Sequence, residues 1–340
     1  MRRPRVKVEG EGFYHVVSRI AGRRFLLDET EKGTLLGMIR AAAAFSGVEV
    51  YTFAVMSNHF HLLVRVPRRR AVEEKELLRR MEALYGTPRF LKILEKWEKW
   101  TKRHQESRVE EEKARLRARM YDLSQFCKTF KEAYTQDFNR RHDNTGSIWE
   151  GRFKSILLEG SWRTLMTVAG YIHLNPVRAK MVENAEEATN AGYGAACQGD
   201  MRAATGLVSL AKRVYGTKNA TWEQARSACA EVIAGAEGTI PVFESRIPDS
   251  RFPIPDSSCS GPDDVFPPER SRDETVPESP AALLRRRVAG FLHGGALGGE
   301  AFLRRTVRLF PKRVRKRAPS ALDRVPALGL RSVNGVREVS

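Results

Sequence analysis

His59 and His61 flank Phe60 in the run VMSNHFHLLVRVP. On a strand, side chains two residues apart leave the same face, about 6–7 Å apart at Cα. Two imidazoles so placed can share one divalent metal ion. An HxH alone is a weak signal. Here the pair follows a tight turn at Met56, Ser57 and Asn58, on the face opposite to Phe60, Leu62 and Val64, which strengthens it. No carboxylate or histidine follows at the short spacing of a self-contained zinc motif, so a third ligand must come from a remote part of the chain.

The best source of that ligand is GYIHLNPVRAK. On a helix Tyr171 and Asn175 share a face, and Arg178 follows three residues later. A tyrosine hydroxyl acts as a nucleophile where a metal polarises the electrophile and a base takes the proton. An amide oxygen one turn away is a neutral oxygen ligand. The plainer alternative makes Tyr171 a packed aromatic and Asn175 an N-cap before Pro176, and spacing alone prefers it. His173 points away from the Tyr171 face and reads as a surface or packing residue. His15 can lie near the metal but reads as structural. Tyr121 and Tyr134 are rival nucleophiles on another helix, Tyr134 within an apolar stripe.

These residues need elements to hold them. Residues 12–20, 48–55, 59–66 and 153–159 read as strands, rich in β-branched and aromatic side chains, the second and third forming a hairpin. Asp28 is placed to cap a helix running through Phe45. Leu123, Phe126, Phe130, Tyr134 and Phe138 recur at three or four residues, the period of a second helix. A third spans 161–174, where Pro176 must end or kink it. Residues 68–120 are densely charged with apolar positions at helical spacing, and read as helices inserted into the domain. The order strand, helix, strand, strand, helix, strand, helix is that of a ferredoxin-like or RRM-like α+β fold, an antiparallel sheet with helices on one face.

Composition limits what such a domain acts on. The 340 residues carry 59 Lys+Arg against 41 Asp+Glu, a net charge of +18, which predicts an anionic partner, most often nucleic acid. No apolar run approaches the roughly 20 residues of a membrane span, and the basic N-terminus lacks the apolar stretch of a secretory signal. Four scattered cysteines without a CxxC pair fit a reducing cytoplasm. Residues 196–236 read as a helical extension. The segment 237–280 reads as a linker, with nine of the 16 prolines between 241 and 280 and IPDS repeated at 247 and 254. Residues 281–340 read as a basic, small helical C-terminal unit, two helices joined by a Gly-rich turn.

Three segments taken together resemble one family. VMSNHFHLLVRVP resembles the HUH signature. SQFCKTFKEAYTQDFNRRH followed by GSIWEGRFKSILLE, and then YIHLNPVRAKMV, are similar to the REP-associated tyrosine transposases, relatives of the single-tyrosine transposases of bacterial insertion sequences. The resemblance covers roughly residues 10–195, apart from the insertion, and implies a transposase domain over 1–195. It implies metal-dependent cleavage and rejoining of single-stranded or hairpin DNA, with a tyrosine linked to a 5′-phosphate and a departing 3′-hydroxyl. By motif position His59 and His61 would hold the metal, Mg²⁺ or Mn²⁺, Asn175 would be a third ligand and Tyr171 the nucleophile. Arg19, Trp149, Arg152, Lys154 and Arg178 are candidate DNA contacts. NAEEATNAGYGAAC departs from the Trp- and Ser-rich segment usual after the last helix. Monomer and homodimer both remain open.

Two other readings compete. A DNA- or RNA-binding regulator could keep the domain without the chemistry, against which His59, His61 and Tyr171 are all present. A histidine phosphoesterase would need a further His continuing the alternation, where position 63 is Leu.

Overall fold

The computed structural model describes residues 8–237, 294–298, 302, 306, 322–325 and 330–334. Strand β1 (Gly12–Arg19) lies inside the sheet, antiparallel to β3 (His59–Val66) on one side and β4 (Lys154–Leu158) on the other. The hairpin partner β2 (Glu49–Val55) flanks β3, giving the order β2-β3-β1-β4. The antiparallel α+β layer and its strand limits agree with the sequence reading to within about one residue at each end.

The first sheet face takes α1 (Glu29–Ser46) and α5 (Leu123–Arg141). Asp28 and Asp122 cap them, accepting from the backbone N–H of Glu31 at 2.8 Å and of Gln125 at 2.9 Å. Gly47, at φ 72°, ends α1 in the left-handed conformation that glycine adopts most readily. The α5 stripe is buried as its spacing requires, and Phe60 from β3 meets Phe130 edge-on at 5.6 Å between ring centres.

Between β3 and α5 the charged stretch folds into α2 (Glu74–Tyr85), α3 (Thr87–Thr101) and α4 (Glu106–Ala118). These helices form the expected insertion. They enclose a small separate core of Leu77, Met81, Phe90, Trp97 and Leu116, joined to the main body through Phe45 of α1.

The second face is covered as well. β1 is buried at seven of its eight positions, where a sheet covered on one side would alternate. The cover is α6 (Trp162–His173), in which every residue from Thr164 to His173 is buried. A helix apolar all round must be sandwiched. Its outer side takes α8 (Gly192–Cys197), α9 (Met201–Tyr215) and α10 (Trp222–Glu237), of which α9 and α10 fall where the helical extension was expected. A short α7 (Asn175–Arg178) follows α6 across the break that Pro176 imposes. Helix α9 approaches β2 at backbone distance: a Cβ on Gly206 would stand 2.7 Å from the carbonyl oxygens of both Val50 and Tyr51.

The C-terminal part corrects the sequence reading. Residues expected as a turn between two helices form β5 (Gly294–Gly298), a strand parallel to β4 with Ala296 and Leu297 fully buried. β6 (Leu322–Val325) and β7 (Leu330–Asn334) extend the sheet to the order β2-β3-β1-β4-β5-β7-β6. The cause is non-local: β4 presents an unpaired edge, and the Glu159 N–H donates to the Leu297 carbonyl at 2.9 Å. The Pro-rich stretch 241–280 lies outside the described residues. No helix among the described residues is long and apolar enough to cross a membrane.

Candidate active site

Register decides which side chains share the second face. Val17 stands opposite His61, Arg19 opposite His59 and His15 opposite Leu63 on the β1–β3 ladder, while Lys154 stands opposite Val17 on β4. Directly paired residues point the same way, so His15, Arg19, His59, His61 and Lys154 all leave the α6 side of the sheet. The alternation read from the sequence is therefore real: Phe60, Leu62 and Val64 turn toward α1 and α5. The rings of His59 and His61 lie 5.0 Å apart at 78°. His61 and His15 are buried, while His59 is half-buried and marks the open side of the cluster.

Hydrogen bonds fix how these rings are presented. The Asn58 Nδ2 donates to the Arg23 carbonyl at 2.9 Å, which turns its Oδ1 toward His59 Nδ1, 2.7 Å away. Since Oδ1 only accepts, a neutral His59 carries its proton on Nδ1 and its lone pair on Nε2. His61 Nδ1 lies 2.9 Å from His15 Nε2, with the two rings stacked at 5.1 Å and 16°. In both strand histidines, then, Nδ1 is engaged from within the protein.

Helix α6 lays Tyr171 across this cluster. Its ring centre is 5.7 Å from that of His61 and 5.9 Å from that of His15, edge-on to both. Asn175 donates through Nδ2 to the Tyr171 carbonyl at 2.8 Å, and the Arg178 guanidinium carbon sits 5.3 Å from the Tyr171 ring centre. Tyr171 thus meets the histidine face, Arg178 reaches its ring, and Asn175 is held to its backbone. Tyr171 itself is 1% exposed.

The rivals are elsewhere. Tyr134 is buried on the opposite sheet face and donates to Glu31 at 2.7 Å. Tyr121 lies between the insertion and α1, accepting from Arg80 at 3.1 Å. His173 is a packing residue and not a surface one: it is fully buried, with Nε2 2.7 Å from Thr52 Oγ1. Burial pushes its pKa down to about 3, so the ring is neutral.

The candidate DNA contacts divide. Arg19 is half-exposed and Lys154 exposed, both on the histidine face; Arg152 is exposed in the loop before β4. Trp149 is corrected. It is 6% exposed, its indole N–H donates to Thr135 at 2.9 Å, and its ring meets Phe60 at 5.7 Å, so it anchors the loop to the core. His15, read from the sequence as a structural residue that can lie near the metal, packs against His61. Its parity with His61 across the ladder shows that contact once the strand register is known.

The donor set fits a divalent ion of moderate hardness. Among the described residues no three His, Cys, Asp or Glu side chains gather as a metal group. What the face offers is two imidazoles, each with Nδ1 engaged by a neighbouring side chain.

Residues 11–112 match the family model Y1_Tnp, Transposase IS200 like, a segment of this chain that is similar to that family. The matched span holds β1 and the His59–His61 strand and ends before α5, so Tyr171 and Asn175 join the site through the fold. A solved structure described as the REP associates tyrosine transposase bound to a REP hairpin aligns over 57% of this chain and 84% of that chain, at 15% identity and a TM-score of 0.38. No curated protein matches the sequence.

Proposed function

We propose that this protein cleaves and rejoins single-stranded DNA next to a hairpin, with Tyr171 as the nucleophile. The observation that carries this reading is the Tyr171 ring edge-on to both His15 and His61, under 6 Å from each. The phenolic oxygen of Tyr171 attacks the scissile phosphorus and the P–O3′ bond breaks. The 5′-phosphate remains on Tyr171, and the 3′-oxygen gains a proton as the phenol loses one. Rejoining is the same exchange in reverse by another 3′-hydroxyl.

His59 and His61, through Nε2, and Asn175, through its amide oxygen, would hold the metal. Mg²⁺ or Mn²⁺ bound there supplies Lewis-acid stabilisation of charge at the phosphate, with Mn²⁺ the more tolerant of imidazole. Arg178 stacks on the Tyr171 ring and limits its rotation. Arg19 and Lys154 offer cations on the same face for flanking phosphates. DNA enters on the side of half-buried His59.

The test is a hairpin oligonucleotide with single-stranded flanks, incubated with Mn²⁺ and resolved on a denaturing gel. A covalent adduct mapped to Tyr171 supports the reading; cleavage in excess chelator or an adduct on another residue overturns it. The burial of Tyr171 favours a second reading, a DNA-binding regulator that does not cut, and hairpin binding without any adduct would establish that one instead.

A further inference from the structure

We infer that His15 is a positioning residue that sets the tautomer of His61, so that His61 presents Nε2 and not an N–H to the metal. The inference rests on the metal-binding reading of His59 and His61. Two imidazole nitrogens 2.9 Å apart, as His15 Nε2 and His61 Nδ1 are, share one proton: one ring donates and the other accepts. If His15 donated, a neutral His61 would carry its own proton on Nε2 and could not ligate through that atom. If His61 donates from Nδ1, its lone pair faces outward and His15 carries its proton on Nδ1.

Metal binding through His61 Nε2 requires that second arrangement, and the fold holds the two rings in contact. His15 is fully buried on the inner strand β1, diagonal to His61 across the ladder, so both rings stand on rigid backbone. The rings are stacked at 16°, and Tyr171 closes edge-on over both, which keeps His15 Nε2 against His61 Nδ1. His59 has the equivalent support from Asn58, which is an acceptor in its one anchored orientation. Each strand histidine therefore has its own acceptor behind Nδ1. An imidazole in water prefers its proton on Nε2, and outer partners of this kind typically raise metal affinity or activity by about 10–100-fold.

Two measurements on the full chain decide it. In metal-free protein, long-range ¹⁵N–¹H correlation spectra of the His61 ring should show the proton on Nδ1 in the wild type. His15→Phe should move it toward Nε2, and His15→Gln, which returns an acceptor oxygen, should restore it. In Mn²⁺ titrations followed by electron paramagnetic resonance, His15→Phe should bind about 10–100-fold more weakly and His15→Gln within a few-fold of wild type. A wild-type His61 protonated on Nε2, or equal Mn²⁺ affinity in His15→Phe, overturns the inference. If the wild type binds no Mn²⁺ while His61 still carries its proton on Nδ1, the metal reading falls and the tautomer assignment stands. If His15→Phe does not fold, the wild-type spectrum decides alone.

Discussion

Asn58 holds His59 from behind, its Oδ1 2.7 Å from the ring Nδ1, and is itself anchored through Nδ2 to the Arg23 carbonyl. The turn that joins β2 to β3 thus also orients the first histidine of the pair. Asn58→Ala should leave the fold intact, because the residue is partly exposed, and weaken Mn²⁺ binding about 10-fold or more. Titration of the metal against the folded variant checks this; unchanged affinity would show that His59 needs no such support.

Tyr171→Phe should abolish the covalent adduct and retain hairpin binding. Only the hydroxyl is removed from a site of fixed volume, so stability should change by less than about 1.5 kcal/mol. Tyr134→Phe should behave in the opposite way. It loses the bond to Glu31 in a buried setting, a cost of about 1–3 kcal/mol, and keeps cleavage. Melting curves and denaturing gels on the two variants separate a packing tyrosine from a reacting one.

Acid should loosen the first sheet face through Glu31. This buried carboxylate is held down to about 2, chiefly by hydrogen bonding from Arg141, with Tyr134 and His142 adding to it against the opposing effect of burial. Its folded pKa lies below its ordinary value of 4.5, so its contribution is complete above that pH and is lost as pH falls from 4.5 toward 2. The contribution is at most roughly 3 kcal/mol. Urea unfolding between pH 6 and 3 should show the decline, and Glu31→Gln should be less stable at neutral pH with a shallower fall. A parallel decline in both proteins would remove Glu31 as the cause.

Gly206→Ala should destabilise the packing of α9 on β2. The added Cβ would meet two backbone carbonyl oxygens that cannot rotate aside, so strain of about 1–3 kcal/mol is expected. A melting temperature equal to wild type would show that α9 can shift outward without loss.

Much of this site was legible because the signals are local. HFHLLVRV declares its two faces by alternation, and the face choice held: Phe60 packs on Phe130 while His61 meets Tyr171. Helical spacing put Tyr171 and Asn175 on one face, but spacing alone preferred a packing role for them, and the family resemblance supplied the other one. His15 was harder, since it joins His61 only through the β1–β3 register, a long-range pairing that no single-strand pattern encodes. Trp149 was misread for a related reason. An indole in a turn-rich loop looks exposed by composition, while tertiary packing buries it. The strand β5 had no local signal at all. GGALG carries no β-branched or aromatic side chain, and its conformation comes from the edge of β4 beside it.

That pairing has a consequence for how the chain is made. β4 is complete by residue 158 and β5 begins at residue 294, so during synthesis the ribosome delivers one long before the other. At about 5–20 residues per second the interval lasts on the order of 10 seconds. Throughout it the backbone N–H and C=O groups on that side of β4 stand as a template for any other extended chain, including a second nascent copy. A prematurely terminated product would keep that template permanently. Aggregation of such products, and not loss of the histidine face, is the first defect to look for in the cell.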